Sequence, residues 1–347
     1  MKLVSRMLAI GMGAALASVA ALAATSPARA QETYSWNYAD IQSPGNLRTR
    51  NVEWWVAELA RRSEGRIKIQ AFWAGSLVGG KDIAVGVSSG YPELGANVYV
   101  YDTSYVPVLS LFELPLSDSA ETTIRAFHDM VMNNETVRAD LAKRKLVPLT
   151  VFGHQGNIMG VTPKAVASPE DLNGLRLRAP GGTTARALER LGAVVVTMPS
   201  TDVYSALQLG TVDGAISSLA DVTEWKWSDH GKHVWSLGIP IGPPLVYVMN
   251  KDIWDGLPED IQKLMLDVSA ELLDRQIADY AASLDVMRNE LEASGVTFVD
   301  DVPGITAAAK QAAEADIDRW LKRAEEAGLP AKQLLDDYKE AIERNRR

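Results

Sequence analysis

The hydrophobic positions of this chain change period along its length, and the changes mark out its elements. Tyr34 to Tyr38 alternates aromatic and polar residues as a strand does. Ser43-Pro44-Gly45 turns the chain, and Val52, Trp55, Val56 and Leu59 then recur at helical spacing over 51–62 until Ser63-Glu64-Gly65 ends the run. Residues 67–72 read as a second strand, a short helix around Val85 follows the Gly79-Gly80 loop, and 94–100 read as a third strand. This βαβαβ order predicts a parallel sheet with helices on its faces. Residues 118–145 are mostly helical, and 146–152 form a strand in which Pro148 favours the start or an edge position. The next loop, from Gly153 through His154, Gln155, Gly156 and Asn157 to Gly160, sets polar residues among glycines. At the end of a strand it predicts a hinge and pocket wall, with an ordinary crossover loop as the alternative.

A second α/β unit follows. Leu175 to Arg178 is a strand that puts Arg176 and Arg178 on one face; Pro180-Gly181-Gly182 ends it, and Thr183 or Thr184 caps a helix carrying Ala187, Leu188 and Leu191. Residues 194–198 form a strand, Pro199-Ser200-Thr201-Asp202 opens another helix, Gly210 closes it, and 212–217 form the last strand of the set. From Pro258 to Ser294 no Gly or Pro interrupts a helical recurrence of apolar residues. Such a helix approaches roughly 55 Å, longer than one small domain is wide, unless it breaks near Ala270. Residues 304–328 and 330–347 add two helices, the last amphipathic and suited either to close the fold or to pair two copies.

The first thirty residues alter the picture. Lys2 and Arg6 precede an uncharged, largely apolar run from Met7 to Ala24, and Ala28-Arg29-Ala30 offers small residues where a signal peptidase needs them. We read a secretory signal cleaved before Gln31, with a retained membrane anchor as the alternative. About 317 residues then remain, enough for two domains. Loss of Lys2, Arg6 and Arg29 takes the formal charge from -9 to -12. An acidic chain argues against a nucleic-acid partner and requires any anion site to be made attractive locally. The absence of cysteine excludes thiolate nucleophiles, thiolate metal sites and disulfide staples.

The candidate chemistry lies in the second unit. A guanidinium at a strand end, followed directly by a helix N-terminus, suits an anion, and the planar fork of Arg178 matches a carboxylate. A structural ion pair is the other use of such an arginine. Trp36, Trp73, Asn97 and Tyr99 lie near strand ends of the first unit, and Trp225 and Trp227 follow the last strand of the second. Each aromatic serves either a pocket or core packing. His230 and His233 have an HxxH spacing without an evident third ligand, which favours a surface pair over a metal site. Gly181-Gly182-Thr183-Thr184 lacks the Gly-Lys-Ser/Thr of a phosphate loop, and neither a triad nor a carboxylate pair stands out.

The segments GLRLRAPGG, LGAVVVTMPSTDVYSALQLGTVDGAI and NKDIWDGLPEDIQ together resemble the DctP-type substrate-binding subunit of tripartite ATP-independent periplasmic (TRAP) transporters. The resemblance runs from the leader to the C-terminal helices. It implies an α/β, two-domain periplasmic binding protein fold with a long helix crossing both domains. The expected division is a signal peptide over 1–30, a first domain of 31–155 and about 244–283, and a second of 156–243 and about 284–347. It implies a periplasmic receptor, not an enzyme, that closes on a small organic acid such as a C4-dicarboxylate and delivers it to a membrane permease. No cofactor or metal is expected, and the receptor is a monomer or homodimer. In the family the arginine of the LRLRAP-like motif binds the ligand carboxylate, which assigns that role to Arg178 and leaves Arg176 solvated or paired. Asn157 lies near a second polar contact of the family. Ser217 stands where many members have a larger pocket residue, which leaves room for a bulkier ligand or a water. An exported hydrolase and a ligand-sensing module for a membrane receptor are the competing classes.

Overall fold

The computed structural model describes residues 32–242 and 244–346, so the leader lies outside the described residues. Two sheets organise them. The first has β1 (Tyr34–Ala39), β2 (Ile67–Phe72), β3 (Leu94–Asn97), β4 (Leu146–Phe152) and β10 (Leu245–Asn250) in the order β2-β1-β3-β10-β4. The second has β5 (Asn157–Thr162), β6 (Arg176–Ala179), β7 (Val194–Thr197), β8 (Gly214–Ser217), β9 (His233–Pro240) and β11 (Thr297–Val299) in the order β11-β9-β5-β8-β6-β7. The chain passes between them three times, from β4 to β5 through 153–156, from β9 to β10 between Pro240 and Leu245, and from β10 to β11 through residues 251–296.

The βαβαβ pattern yields parallel pairing of β1 with β2 and β3, but the sheet is mixed because β10 returns antiparallel between β3 and β4. Periodicity in the N-terminal segment carries no signal of a strand that arrives 150 residues later. The glycine-rich loop after β4 is shorter than expected, since β5 begins at Asn157. The third strand also stops early, at Asn97, and a turn of 3₁₀ helix over Tyr99–Tyr101 continues from it.

Helices α1 (Leu47–Arg62), α2 (Ile83–Ser89), α3 (Ala120–Asn133) and α4 (Glu135–Lys143) accompany the first sheet. The helical stretch expected over 118–145 divides at Asn134, whose side chain accepts from the Thr136 and Val137 amides and so starts α4. Helices α5 (Gly182–Arg190), α6 (Ser200–Gln208) and α7 (Leu219–Glu224) belong with the second. After the short α8 (Lys251–Asp255), α9 (Glu259–Ala293) runs unbroken for 35 residues, about 52 Å. It packs on α1 and β4 of the first unit and on α7 of the second, and the Trp55 indole donates to Ser269 Oγ at 3.0 Å. Helix α10 (Ile305–Glu326) lies on α5 and β9, whereas α11 (Ala331–Asn345) lies on α3. The sequence boundaries assigned both to the second unit; amphipathicity shows which face of a helix is buried, not which partner buries it.

Two of the contacts between the units form a reciprocal pair. Glu113 of the first unit accepts the Thr183 amide in the first turn of α5 at 2.7 Å. Glu224, the last residue of α7 in the second unit, accepts the Leu47 amide that opens α1 at 3.1 Å and the Gln42 amide group at 2.8 Å. Each unit therefore places a carboxylate on a helix N-terminus of the other, where unpaired amides and the helix dipole favour negative charge. Glycine makes the first contact possible. Gly182 has φ +61°, and a Cβ there would lie 1.7 Å from Glu113 Oε2. Burial is the main cause that raises both carboxyls to about 7, opposed at Glu113 by the Thr183 amide, Arg186 and Arg323, and at Glu224 by the Leu47 amide, Arg48 and Gln42.

Gly182→Ala is expected to lower stability by about 1–2 kcal/mol for the left-handed backbone alone, read as a drop in Tm. The pH dependence follows from the raised carboxyls. In water these groups titrate near 4.5 and in the closed cleft near 7, so the closed form takes up protons between those values. Closure is therefore favoured most below 4.5 and weakens as pH rises to about 7. His154, which burial lowers to about 4 from 6.5, acts in the opposite sense below 6.5. Domain closure followed by fluorescence energy transfer from pH 6 to 8 is expected to show this weakening, and Glu113→Gln to remove about half of it.

Candidate functional site

Where the two sheets face each other lies a cavity of about 120 Å³. At roughly 10–15 Å³ per water this holds on the order of ten non-hydrogen atoms, the size of a small organic acid. Its walls are mainly aliphatic and come from both units: Ile41, Val98 and Leu114 from the first, Ile158, Leu237 and Ile239 from the second. Polar and charged side chains line it as well, Arg48, Glu113, His154 and Asp221 among them.

Arg178 sits in β6 with no exposed surface. Parallel pairing with β7 and β8 brings it level with Val196 and Ala215 and holds it among backbone carbonyls. Nε and Nη2 donate to Met198 O at 2.9 and 2.8 Å, Nη2 also to Ser200 Oγ at 3.2 Å, and Nη1 makes a long bond of 3.4 Å to Ile216 O. Trp227 lies under the guanidinium at 5.4 Å, so this tryptophan packs beneath the arginine. No carboxylate of the described residues comes within salt-bridge distance of Arg178, whereas its strand neighbour Arg176 is paired with Asp213 at 2.6 Å. Burial lowers the Arg178 pKa, yet a guanidinium stays charged.

Arg178 does not itself line the cavity; Ser200, Ile216 and Ser217 stand between. Tyr101 of the first unit reaches over to the same place, with its hydroxyl accepting the Ser200 amide at 3.0 Å and donating to Ser200 Oγ at 3.4 Å. The helix N-terminus expected to receive an anion beside Arg178 is the start of α5, and Glu113 already occupies it.

The other expected site residues are dispersed. Ser217 lines the cavity and donates to Asp221 Oδ2. Tyr99 also lines it, its ring 5.8 Å from Phe127. Asn97 is buried at the end of β3 with its amide nitrogen unpartnered, outside the cavity lining. Asn157 is exposed at the start of β5, bonded to Ser236 Oγ at 3.4 Å, and belongs to a separate groove beside Leu284 and Arg288. Trp36 stacks on Tyr34 at 5.7 Å, Trp73 meets Tyr38 edge-on at 5.8 Å, and Trp225 packs half-buried on the main core. These three take the core-packing role. His230 packs against Tyr204, and His233 meets Thr297 at 2.8 Å.

Sequence reasoning missed Arg48, Tyr101, Glu113, Ser200 and Asp221, all of which line the cavity. The polar-glycine loop did identify its location, because His154 lies in the crossover and lines the cavity too. Asp221 follows Ser217 by one helical turn, a spacing visible in the sequence. Arg48 precedes the periodic part of α1 and gave no signal.

Residues 38–323 match the family described as bacterial extracellular solute-binding protein, family 7, DctP. A solute-binding protein of Verminephrobacter eiseniae is 28% identical over 257 residues, 72% of this chain and 75% of that protein. Among solved structures, a marine metagenome TRAP solute-binding protein specific for aromatic acids, in complex with 3-hydroxybenzoate, superposes with a TM-score of 0.80 at 25% identity, covering 91% of this chain and 100% of its own. A Bordetella pertussis extracytoplasmic solute receptor binding pyroglutamic acid has the same fold, with a TM-score of 0.79 at 22% identity and coverage of 88% and 99%. Two α/β units joined by three crossings, a long bridging helix and an interdomain cavity thus meet a family match over most of the chain: it belongs to bacterial extracellular solute-binding protein family 7, the extracytoplasmic receptors of TRAP transporters, which bind solutes and are not enzymes.

Proposed function

We propose that this receptor takes a small monocarboxylic acid with a mainly apolar body, holds its carboxylate on Arg178, and passes it to a TRAP permease. The observation that carries the reading is a wholly buried guanidinium without an ionic partner among the described residues, directly behind the wall of an aliphatic cavity. Its backbone bonds orient the fork and leave Nη1 the least engaged nitrogen. When the units part, Tyr101 leaves Ser200, and the path to Nη1 opens. The carboxylate enters there, and closure returns Tyr101 over it. The cavity favours one charged group over the two of a C4-dicarboxylate, since the guanidinium that lines it, that of Arg48, is already paired with Asp40. The printed ligands of the two structural relatives, 3-hydroxybenzoate and pyroglutamic acid, are acids of this size and type.

The receptor reaches the periplasm by its leader and works as a monomer. Support for the second point is that α11, the helix best suited to pairing, buries Leu334, Leu335, Tyr338 and Ile342 on its own fold. The protein recovered from the exporting cell is expected to begin at Gln31; an N-terminus at Met1 would show a retained segment.

A charge-assisted hydrogen bond contributes about 1.5–3 kcal/mol, so Arg178→Ala and Arg178→Lys are expected to weaken binding roughly 10- to 150-fold. In a thermal-shift screen of organic acids the ligand should raise the Tm of the parent protein and barely that of either variant. Equal stabilisation of all three would remove Arg178 from the site.

A further inference from the structure

Three polar side chains at the cavity, Arg48, His154 and Asp221, carry atoms that make no hydrogen bond to a described residue; Arg48 Nε and His154 Nδ1 are buried in that state. Arg48, in the first turn of α1, is 4% exposed and lines the cavity. Its Nη2 is bonded to Asp40 Oδ1 and its Nε is buried without a partner, while Nη1 makes no hydrogen bond to a described residue. His154, 5% exposed in the crossover, packs edge-on against Phe152 and Tyr280, and its Nε2 lies 3.8 Å from Asp221 Oδ1, too far for a hydrogen bond. Asp221, 7% exposed on α7, uses Oδ2 for the Ser217 hydroxyl and leaves Oδ1 unbonded. The three side chains come from the first unit, the crossover and the second unit, and they meet at one cavity.

Their charges define what fits between them. Arg48 is neutralised by Asp40, itself held by the Tyr38 hydroxyl and the Gln42 amide. His154 is uncharged near neutral pH because burial depresses its pKa. Asp221 lines the cavity, and with Oδ2 bonded to Ser217 it has Oδ1 as a second acceptor oxygen. A second carboxylate on the ligand would be repelled by it, and a purely apolar ligand would leave Arg48 Nη1 and Asp221 Oδ1 desolvated and unpaired. A group that both donates and accepts satisfies both atoms without adding charge.

We propose that Arg48, His154 and Asp221 form a second subsite that selects, among monocarboxylic acids, those bearing an uncharged donor-acceptor group such as a hydroxyl or a lactam. The subsite rests on the carboxylate-receptor reading, because it names the far end of the same ligand. Asp221 accepts the hydroxyl or N–H, and Arg48 Nη1 donates to the hydroxyl or carbonyl oxygen.

Calorimetry with two matched series tests this: benzoate, 3-hydroxybenzoate and isophthalate; cyclopentanecarboxylate and pyroglutamate. The hydroxyl or lactam member is expected to bind at least tenfold more tightly than its unsubstituted parent in at least one series, with isophthalate weakest in its own. Asp221→Asn, which keeps the shape and the Ser217 bond, is expected to reduce that ratio to within about threefold while changing the affinity for the unsubstituted acid little. His154→Gln supplies a second variant, with the same fall in ratio expected. Unsubstituted acids that bind as well as their polar partners would overturn the subsite and leave the carboxylate anchor standing. A variant that weakens both members of a pair equally would reduce Asp221 to a structural role. Failure of every acid to bind would overturn the carboxylate reading and the subsite together.

Discussion

The structure turns on the burial of a positive charge, Arg178, that no carboxylate of the described residues meets within salt-bridge distance. Arg178 is removed from water by β6, β7 and β8 on one side, by Trp227 beneath and by the Tyr101–Ser200 contact above. Two backbone carbonyls and a hydroxyl orient the guanidinium, and none of these partners carries a charge. Such an arrangement is costly in a protein that only needs to fold, since a hydrophobic residue of similar volume packs there without desolvating an ion. In the proposed function the cost has a use. A ligand anion would restore the missing electrostatic partner, and the stabilisation it brings would be present only when the units are closed around it.

That dependence links the anchor to closure. The ligand shifts the balance between open and closed forms only through its differential affinity for them. The protein supplies part of the closed form's stability by itself, through Glu113 on the start of α5 and Glu224 on the start of α1. Because burial raises both carboxyls, these contacts are weak fastenings near neutral pH. Fastenings of this kind are easily undone, which suits a receptor that must also release its cargo. Helix α9 limits how the units move, since it lies along α1 and β4 at one end and touches α7 of the other unit.

Local pattern made much of the fold legible. The alternation over Tyr34–Tyr38, the helical spacing of Trp55 and Leu59, and the uninterrupted run from Pro258 to Ser294 each became the expected element. What remained hidden depended on distant segments meeting: β10 entering the first sheet between β3 and β4, and α11 lying back on α3. The site divides in the same way. Arg178 stood out because a strand, a glycine turn and a helix start adjoin it in sequence. The α5 N-terminus read as a ligand site because Glu113, 70 residues earlier, is not visible as its partner until the chain folds. Trp36, Trp73 and Trp225 drew attention as large aromatics near strand ends, yet strand ends on the outer side of a sheet look the same in sequence as those at the cleft.

The central claim is that the ligand's carboxylate is bound by Arg178 inside the closed cleft. A crystal structure of the receptor with its acid bound tests this most directly, because it locates the carboxylate oxygens relative to both cavity arginines. The account predicts a carboxylate oxygen within hydrogen-bond distance of Arg178 Nη1, with Tyr101 closing over it and the polar end of the ligand toward Arg48 and Asp221. A carboxylate bound instead by Arg48, with Arg178 still sealed behind Ser200 and Ile216, would contradict it.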